Sequence, residues 1–84
     1  MNFGQALEAL KAGSHVQRAG WNGKGMHIYL EDGRTETIGD GAFKGKKRVT
    51  DPCICMFTAQ GTHQPGWNAS QADMLADDWQ IVGT

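Results

Sequence analysis

Apolar positions near the start of the chain recur at helical spacing. Phe3, Ala6, Leu7 and Leu10 fall on one side, while Glu8 and Lys11 point away. Asn2 followed by Gln5 has the form of a capping box at the helix start. Gly13 stands where a helix ending near Lys11 needs a left-handed C′ residue. A helix of about ten residues is marginal alone, so the apolar stripe predicts packing against a sheet.

The pattern then changes to strands. His15–Ala19 predicts a short strand, followed by a turn through Gly20–Gly25 in which Asn22-Gly23 is the hairpin signal. Met26, Ile28 and Leu30 alternate with His27, Tyr29 and Glu31, as in a half-buried strand. Asp32-Gly33 predicts a second hairpin turn, from which Arg34–Ile38 runs back antiparallel. Residues 39–52 hold three glycines and four cations with little apolar surface, and are expected to be the most mobile section.

Cys53–Ala59 predicts a central strand, apolar on both faces and covered on each by the helix or by another subunit. Gln60-Gly61 supplies a turn, and Thr62–Trp67 an edge segment interrupted by Pro65. Ser70 and Asp73 repeat the capping-box pattern for a second helix carrying Ala72, Leu75 and Ala76. Asp78–Val82 closes as a strand with Trp79 and Ile81 on one side. The expected fold class is α+β, a small single domain over residues 1–84. Its short N-terminal helix and second short helix pack on one twisted antiparallel sheet.

Composition narrows what such a body can do. Eighty-four residues, 39% of them hydrophobic, with twelve glycines and two prolines, describe a folded, turn-rich domain. Area scaling buries about 63% of the unfolded surface, which permits a modest core but no deep two-substrate cleft. A site on so small a body calls for a second copy. The net charge of −1 argues against coating long nucleic acid. No apolar run approaches the roughly 20 residues of a membrane span, and the first residues show no secretory pattern. Cys53 and Cys55 share a strand face at a spacing that strains a disulfide. Reduced thiols of that kind fit a reducing cytoplasm. Three histidines, His15, His27 and His63, are dispersed without metal-site spacing, so neither a metal nor a cofactor is expected.

Catalytic candidates are weak. Cys53 or Cys55 with His63, or Asp73 with His27, are conceivable pairs, yet no paired carboxylates, HExxH array or serine elbow is present. No catalytic residue is expected. Gly20–Gly25 lacks the GxxxxGK[ST] phosphate loop, but turn amides, Lys24 and Arg18 can still meet a phosphate. Trp21 and Trp67 lie at loop boundaries, where an indole either stacks on a nucleobase or packs into the core. Asn22, Asn68, Ser70 and Asp73 are either ribose or base contacts, or local turn and cap residues. Lys44, Lys46, Lys47 and Arg48 form a basic run that suits a solvated loop, a phosphate clamp or a single-strand contact.

In combination, NFGQALEALKAG at Asn2–Gly13, RAGWNGKGM at Arg18–Met26 and WNASQADMLADDWQIV at Trp67–Val82 resemble the phage-encoded Thoeris anti-defence 2 family. That resemblance, framing nearly the whole chain, implies a sponge. Such proteins bind, without cleaving, a cyclic ADP-ribose isomer (gcADPR) made by bacterial TIR proteins, so the Thoeris effector stays off. Some relatives sequester cyclic di- or trinucleotides of CBASS defence. It further implies a homotetramer with pockets at subunit boundaries, acting in the cytoplasm of the infected bacterial host. Trp21, Asn22, Gly23 and Lys24 match the family's WNGK turn, Trp67, Ser70 and Asp73 its WxxSxxD segment, and Trp79 the closing DW. The loop at Gly39–Pro52, with its GAFKGKKRVTDP, departs most, which bears on ligand choice more than on fold. The rival readings are direct inhibition of a defence protein and a structural phage protein.

Overall fold

The computed structural model describes residues 1–83. Helix α1 spans Phe3–Lys11, with the Asn2–Gln5 capping box formed. Gly13 stands just beyond it with φ +98°, as the C′ position requires. Strands β1 (His15–Arg18), β2 (His27–Glu31), β5 (Cys53–Phe57), β6 (His63–Pro65) and β7 (Trp79–Gly83) form an antiparallel sheet in the order β6-β5-β2-β1-β7. Strands β3 (Arg34–Thr37) and β4 (Lys47–Thr50) form a separate two-stranded ribbon. A short helix α2 (Gln71–Leu75) precedes β7. The α+β class stands.

Strand alternation decides the layers. Val16 and Ile28 face each other across β1 and β2 and are fully buried. They form one core with Ala6 and Leu10 of α1 and with Trp79, against which Phe3, Leu7, Ile54, Met56, Trp21 and Trp67 pack. The indole N–H of Trp79 donates to the Asp73 carbonyl at 2.9 Å, so its ring is buried without an orphan donor. The chain start is tied to the last strand: the Met1 amino group donates to the Trp79 carbonyl at 2.7 Å, and Trp79 N–H donates to the Met1 carbonyl at 3.1 Å.

Several expectations are corrected. Arg34–Thr37 turns away from β2 and pairs with Lys47–Thr50, in the register Arg34↔Thr50 to Thr37↔Lys47. There are therefore two sheets, and the segment expected to be loose holds a strand. Its ladder continues into the tip, where Ile38 N–H donates to the Lys46 carbonyl and Gly45 N–H to the Ile38 carbonyl, both at 2.9 Å. Cross-strand charges hold the ribbon too, because Glu36 accepts from Arg48 and lies 3.6 Å from Arg34.

The roles of two glycines also differ from the hairpin reading. Neither Asn22 nor Gly23 has positive φ; Gly25 does, at +78°. A Cβ on Gly23 would collide with Met26 and Ala59, and one on Gly33 would lie 2.6 Å from the Thr50 carbonyl oxygen. These positions need glycine for close approach, not for a left-handed turn. In α2, Leu75 faces solvent at 79% exposure, so the apolar anchor of that region is Trp79. Strand β5 lies inside the sheet, but α1 covers only the side bearing Ile54 and Met56.

Candidate functional site

The end of β1 gathers most of the residues singled out from sequence. Arg18 is the hub: its Nε donates to Asp78 Oδ1 at 2.9 Å and its Nη1 to Asp73 Oδ1 at 3.0 Å. The other Asp78 oxygen accepts from Gly20 N–H at 2.9 Å. Asp73 Oδ2 accepts from Ser70 N–H at 2.9 Å, while Ser70 Oγ accepts from Asp73 N–H, which completes the α2 capping box. Trp21 Nε1 reaches Asp73 Oδ1 at 3.4 Å. One carboxylate thus caps a helix, orients a cation and anchors an indole.

The charges in this cluster stabilise one another. Burial alone pushes the Asp73 pKa up, but hydrogen bonds from the Ser70 backbone, Arg18 and Trp21 outweigh it and leave it lowered. The Arg18 hydrogen bond, ahead of a smaller opposing burial effect, lowers Asp78. Hydrogen bonds to Asp78 and then Asp73 raise the pKa of Arg18 further. Two carboxylates against one guanidinium leave this trio net negative, so it holds structure instead of presenting a free anion clamp.

The three tryptophans meet beside it. Trp21 and Trp67 centroids lie 6.2 Å apart, edge to face, and each also packs edge-on against buried Trp79, at 5.3 and 6.2 Å. Trp67 is positioned by its N–H, which donates to the Ile54 carbonyl at 2.8 Å. Both Trp21 and Trp67 are half-buried, so part of each ring stays open to solvent. The turn following Trp21 is fixed at its root by Gly20 and Asp78, and by Trp21 N–H donating to the Arg18 carbonyl at 3.2 Å. At its tip Asn22 and Lys24 are exposed. Among the described residues, the N–H groups of Asn22, Gly23, Lys24 and Gly25 donate to no protein acceptor, and Lys24 has no ion pair. Arg18, Trp21, Trp67, Ser70 and Asp73 are therefore brought together, with Asn22, Gly23 and Lys24 at the solvent edge of the same cluster.

A second cluster escaped the sequence reading. On the sheet face opposite α1, His15 stacks on His27 and Tyr29, His27 stacks on Phe57, and His63 meets both Tyr29 and Phe57, with centroids 5.1–5.7 Å apart. The Tyr29 hydroxyl lies 2.6 Å from His63 Nδ1. Strand alternation marks His27 and Tyr29 as outward, but only the pairing of β1 with β2, of β2 with β5 and of β5 with β6 brings the five rings together. Burial, then hydrogen bonds with Cys53 and Glu31, pushes the Cys55 thiol up to about 12, so it stays protonated at neutral pH. Its Sγ lies 3.6 Å from Cys53 Sγ, with both cysteines free. No metal-holding group of His, Cys, Asp and Glu occurs among the described residues. A cavity of about 170 Å³ opens at the ribbon root between Glu31, Asp32, Arg34, Asp51 and Cys53. Its carboxylates make it a poor phosphate site.

Comparison with known proteins gives the family. Residues 1–82 match the Thoeris anti-defense 2-like domain (Tad2-like). The chain belongs to that family. A relative named Thoeris anti-defense 2, from Bacillus phage SP01, is 38% identical over 85 residues, covering 98% of this chain and 94% of the relative. The matched span takes in the Trp21–Gly25 turn, the Ser70–Asp73 cap and Trp79. An anti-defence role in phage follows from membership of the Thoeris anti-defence 2 family. No helix among the described residues is long and apolar enough to cross a membrane.

Proposed function

We propose that the protein is a nucleotide sponge. It binds a cyclic ADP-ribose isomer made by bacterial TIR proteins, holds it uncleaved in the cytoplasm of the infected host, and so keeps the Thoeris effector inactive. The observation that carries this reading is the near-full-length match to an anti-defence family. The Trp21–Trp67 cluster supplies the chemistry. An adenine stacks on an open indole face, and the diphosphate meets Lys24 and the free amides from Asn22 to Gly25. Arg18 and Asp73, engaged with each other, brace the turn from below. Ser70 holds that brace in place as the helix cap.

Magnitudes favour a preorganised site. Stacking a base on an aromatic gives about 1–3 kcal/mol, and each charge-assisted hydrogen bond about 1.5–3 kcal/mol. Several are needed to approach the roughly 12 kcal/mol of nanomolar affinity, and only a rigid turn avoids losing that to ordering. The tryptophan cluster lies at the surface of a small body, which supports a homo-oligomer, a tetramer by family resemblance, whose second subunit closes the pocket.

The test is incubation with a panel holding cyclic ADP-ribose isomers and cyclic di- and trinucleotides, then filtration and mass spectrometry of retained and heat-released ligand. The expected result is retention and intact release of a cyclic ADP-ribose isomer, abolished by Trp67→Ala or Trp21→Ala in folded protein. Preferential retention of a cyclic oligonucleotide moves the reading to CBASS messengers. Cleaved product indicates an enzyme, and retention of nothing indicates direct inhibition of a defence protein.

A further inference from the structure

Cys53 and Cys55 occupy successive same-face positions of β5, and β2 sets Glu31 directly opposite Cys53 and Tyr29 opposite Cys55. Two residues apart on a strand, their Cα atoms are separated by about 6.8 Å, the long end of the range a disulfide spans. The side chains close most of that gap. Their Sγ atoms lie 3.6 Å apart with both thiols free. A bond needs an approach to about 2.05 Å, which a deeper pleat in β5 supplies.

The two thiols differ in access. Cys53 is half-buried and lines the cavity of about 170 Å³ at the ribbon root, whereas Cys55 is 1% exposed. That cavity is several times the roughly 30 Å³ share of a water molecule, room for a small hydroperoxide. Glu31, Asp32 and Asp51 against the single Arg34 make its rim net negative, which disfavours anionic oxidants such as glutathione disulfide. Glu31 divides its two oxygens. Oε1 accepts from Arg34 at 3.3 Å, while Oε2 accepts from the Cys55 thiol at 3.4 Å. Burial keeps Cys55 protonated at neutral pH, so it needs a base at hand before it reacts. Glu31 Oε2 is that base.

We propose that Cys53 and Cys55 are an oxidisable pair, closed to a disulfide by a neutral hydroperoxide that enters at Cys53. The Cys53 sulfur attacks a peroxide oxygen: the S–O bond forms, the O–O bond breaks, and the leaving oxygen departs with the Cys53 proton as water or an alcohol. The Cys55 sulfur then attacks the Cys53 sulfenic acid. The S–S bond forms, the S–O bond breaks, and the Cys55 proton passes through Glu31 Oε2 to the departing hydroxide, giving water. Together the two thiols lose two electrons and the hydroperoxide gains them. A disulfide at the limit of its span is the labile kind, reopened by a dithiol that is itself oxidised to a disulfide.

The residue between the cysteines carries the effect onward. Ile54 packs against the core on the other face of the sheet. Its carbonyl accepts from Gly66 N–H at 3.0 Å and from Trp67 N–H at 2.8 Å. Drawing Cys53 toward Cys55 puckers β5 at Ile54 and loosens the bonds that position Trp67. Any consequence for ligand rests on the nucleotide reading of the tryptophan cluster, whereas the thiol chemistry does not.

Hydrogen peroxide added to the reduced full chain, without nucleotide, tests it. The expected product is a single chain lighter by two hydrogen atoms in intact-mass spectrometry, with no thiol left for iodoacetamide. Dithiothreitol is expected to restore both readings. In the oxidised chain, amide hydrogen exchange at Gly66 and Trp67 is expected to quicken by about tenfold, as for the loss of one backbone hydrogen bond. Cys55→Ser, with folding confirmed by circular dichroism, is expected to stop at the Cys53 sulfenic acid, trapped by dimedone. Glu31→Gln is expected to accumulate the same adduct and to regain closure as pH rises, when hydroxide replaces the missing base. Two thiols surviving peroxide, a dimedone adduct on the wild type in place of closure, or a disulfide joining two chains overturns the pair. Closure at wild-type rate in Glu31→Gln overturns the proton route, and unchanged exchange at Gly66 and Trp67 overturns the link to Trp67. None of these readings uses the messenger, so failure of the nucleotide reading leaves them standing.

Discussion

The two faces of the five-stranded sheet are built from strands of similar length, yet they are finished differently. On the side of α1, Val16 and Ile28 are sealed under Ala6, Leu10 and Trp79, and the polar groups that enter, Asp73 above all, have every oxygen partnered. On the other side, five rings of His15, His27, Tyr29, Phe57 and His63 lie against one another with no second layer over them among the described residues. Both faces are rich in ring contacts, so aromatic packing alone does not make a core. What separates them is removal from water, and stability is expected to follow burial, not ring count.

Truncation breaks the comparison most directly. Trp79→Ala is expected to cost about 3–5 kcal/mol in denaturant unfolding, since it opens a cavity and leaves the Asp73 carbonyl only the longer bond from Ala76 N–H at 3.4 Å. Phe57→Ala, on the open face, is expected to cost about 1–2 kcal/mol, because the residue is only partly buried. Equal losses would show that the open face is covered in solution.

Asp73→Ala comes next, at about 2–3 kcal/mol, through the lost cap and the lost partner of Arg18. It also carries a pH signature. Asp73 and Asp78 both have lower pKa values folded than unfolded. Their stabilisation is therefore complete above the unfolded value of about 3.9 and is lost as pH falls through the folded values. Wild-type melting temperature should fall steeply in that acid window, and the Asp73→Ala variant should show a shallower fall. Parallel slopes would remove Asp73 from the account. The smallest effect is on the open face: Tyr29→Phe removes the contact with His63 and is expected to cost about 0.5 kcal/mol.

Local signals carried most of the fold into the sequence. Asn2 with Gln5, Ser70 with Asp73, and Gly13 each act within a few residues, and each is found in its predicted role. The alternation through His27–Glu31 and Cys53–Phe57 likewise placed two neighbouring strands. Strand β4 was hidden because Lys47–Thr50 has little apolar alternation; its backbone ladder to β3 and the Glu36 ion pairs supply what side-chain burial does not. The clustering of Trp21, Trp67 and Asp73 was signalled by residue type, but the engagement of Arg18 was not, since its partners lie 55 and 60 residues away. The ring cluster on the open face depends on register across four strands, which no single stretch of sequence displays.

Sequestration differs from turnover in how free messenger depends on protein added. Titrating the protein into a fixed amount of the cyclic ADP-ribose isomer, and quantifying free and heat-released messenger over time, separates the two. The account predicts a linear fall in free ligand to a break at fixed stoichiometry, unchanged with time, and full recovery of intact messenger on heating. Progressive loss of messenger at substoichiometric protein, or a titration with no break, would contradict it.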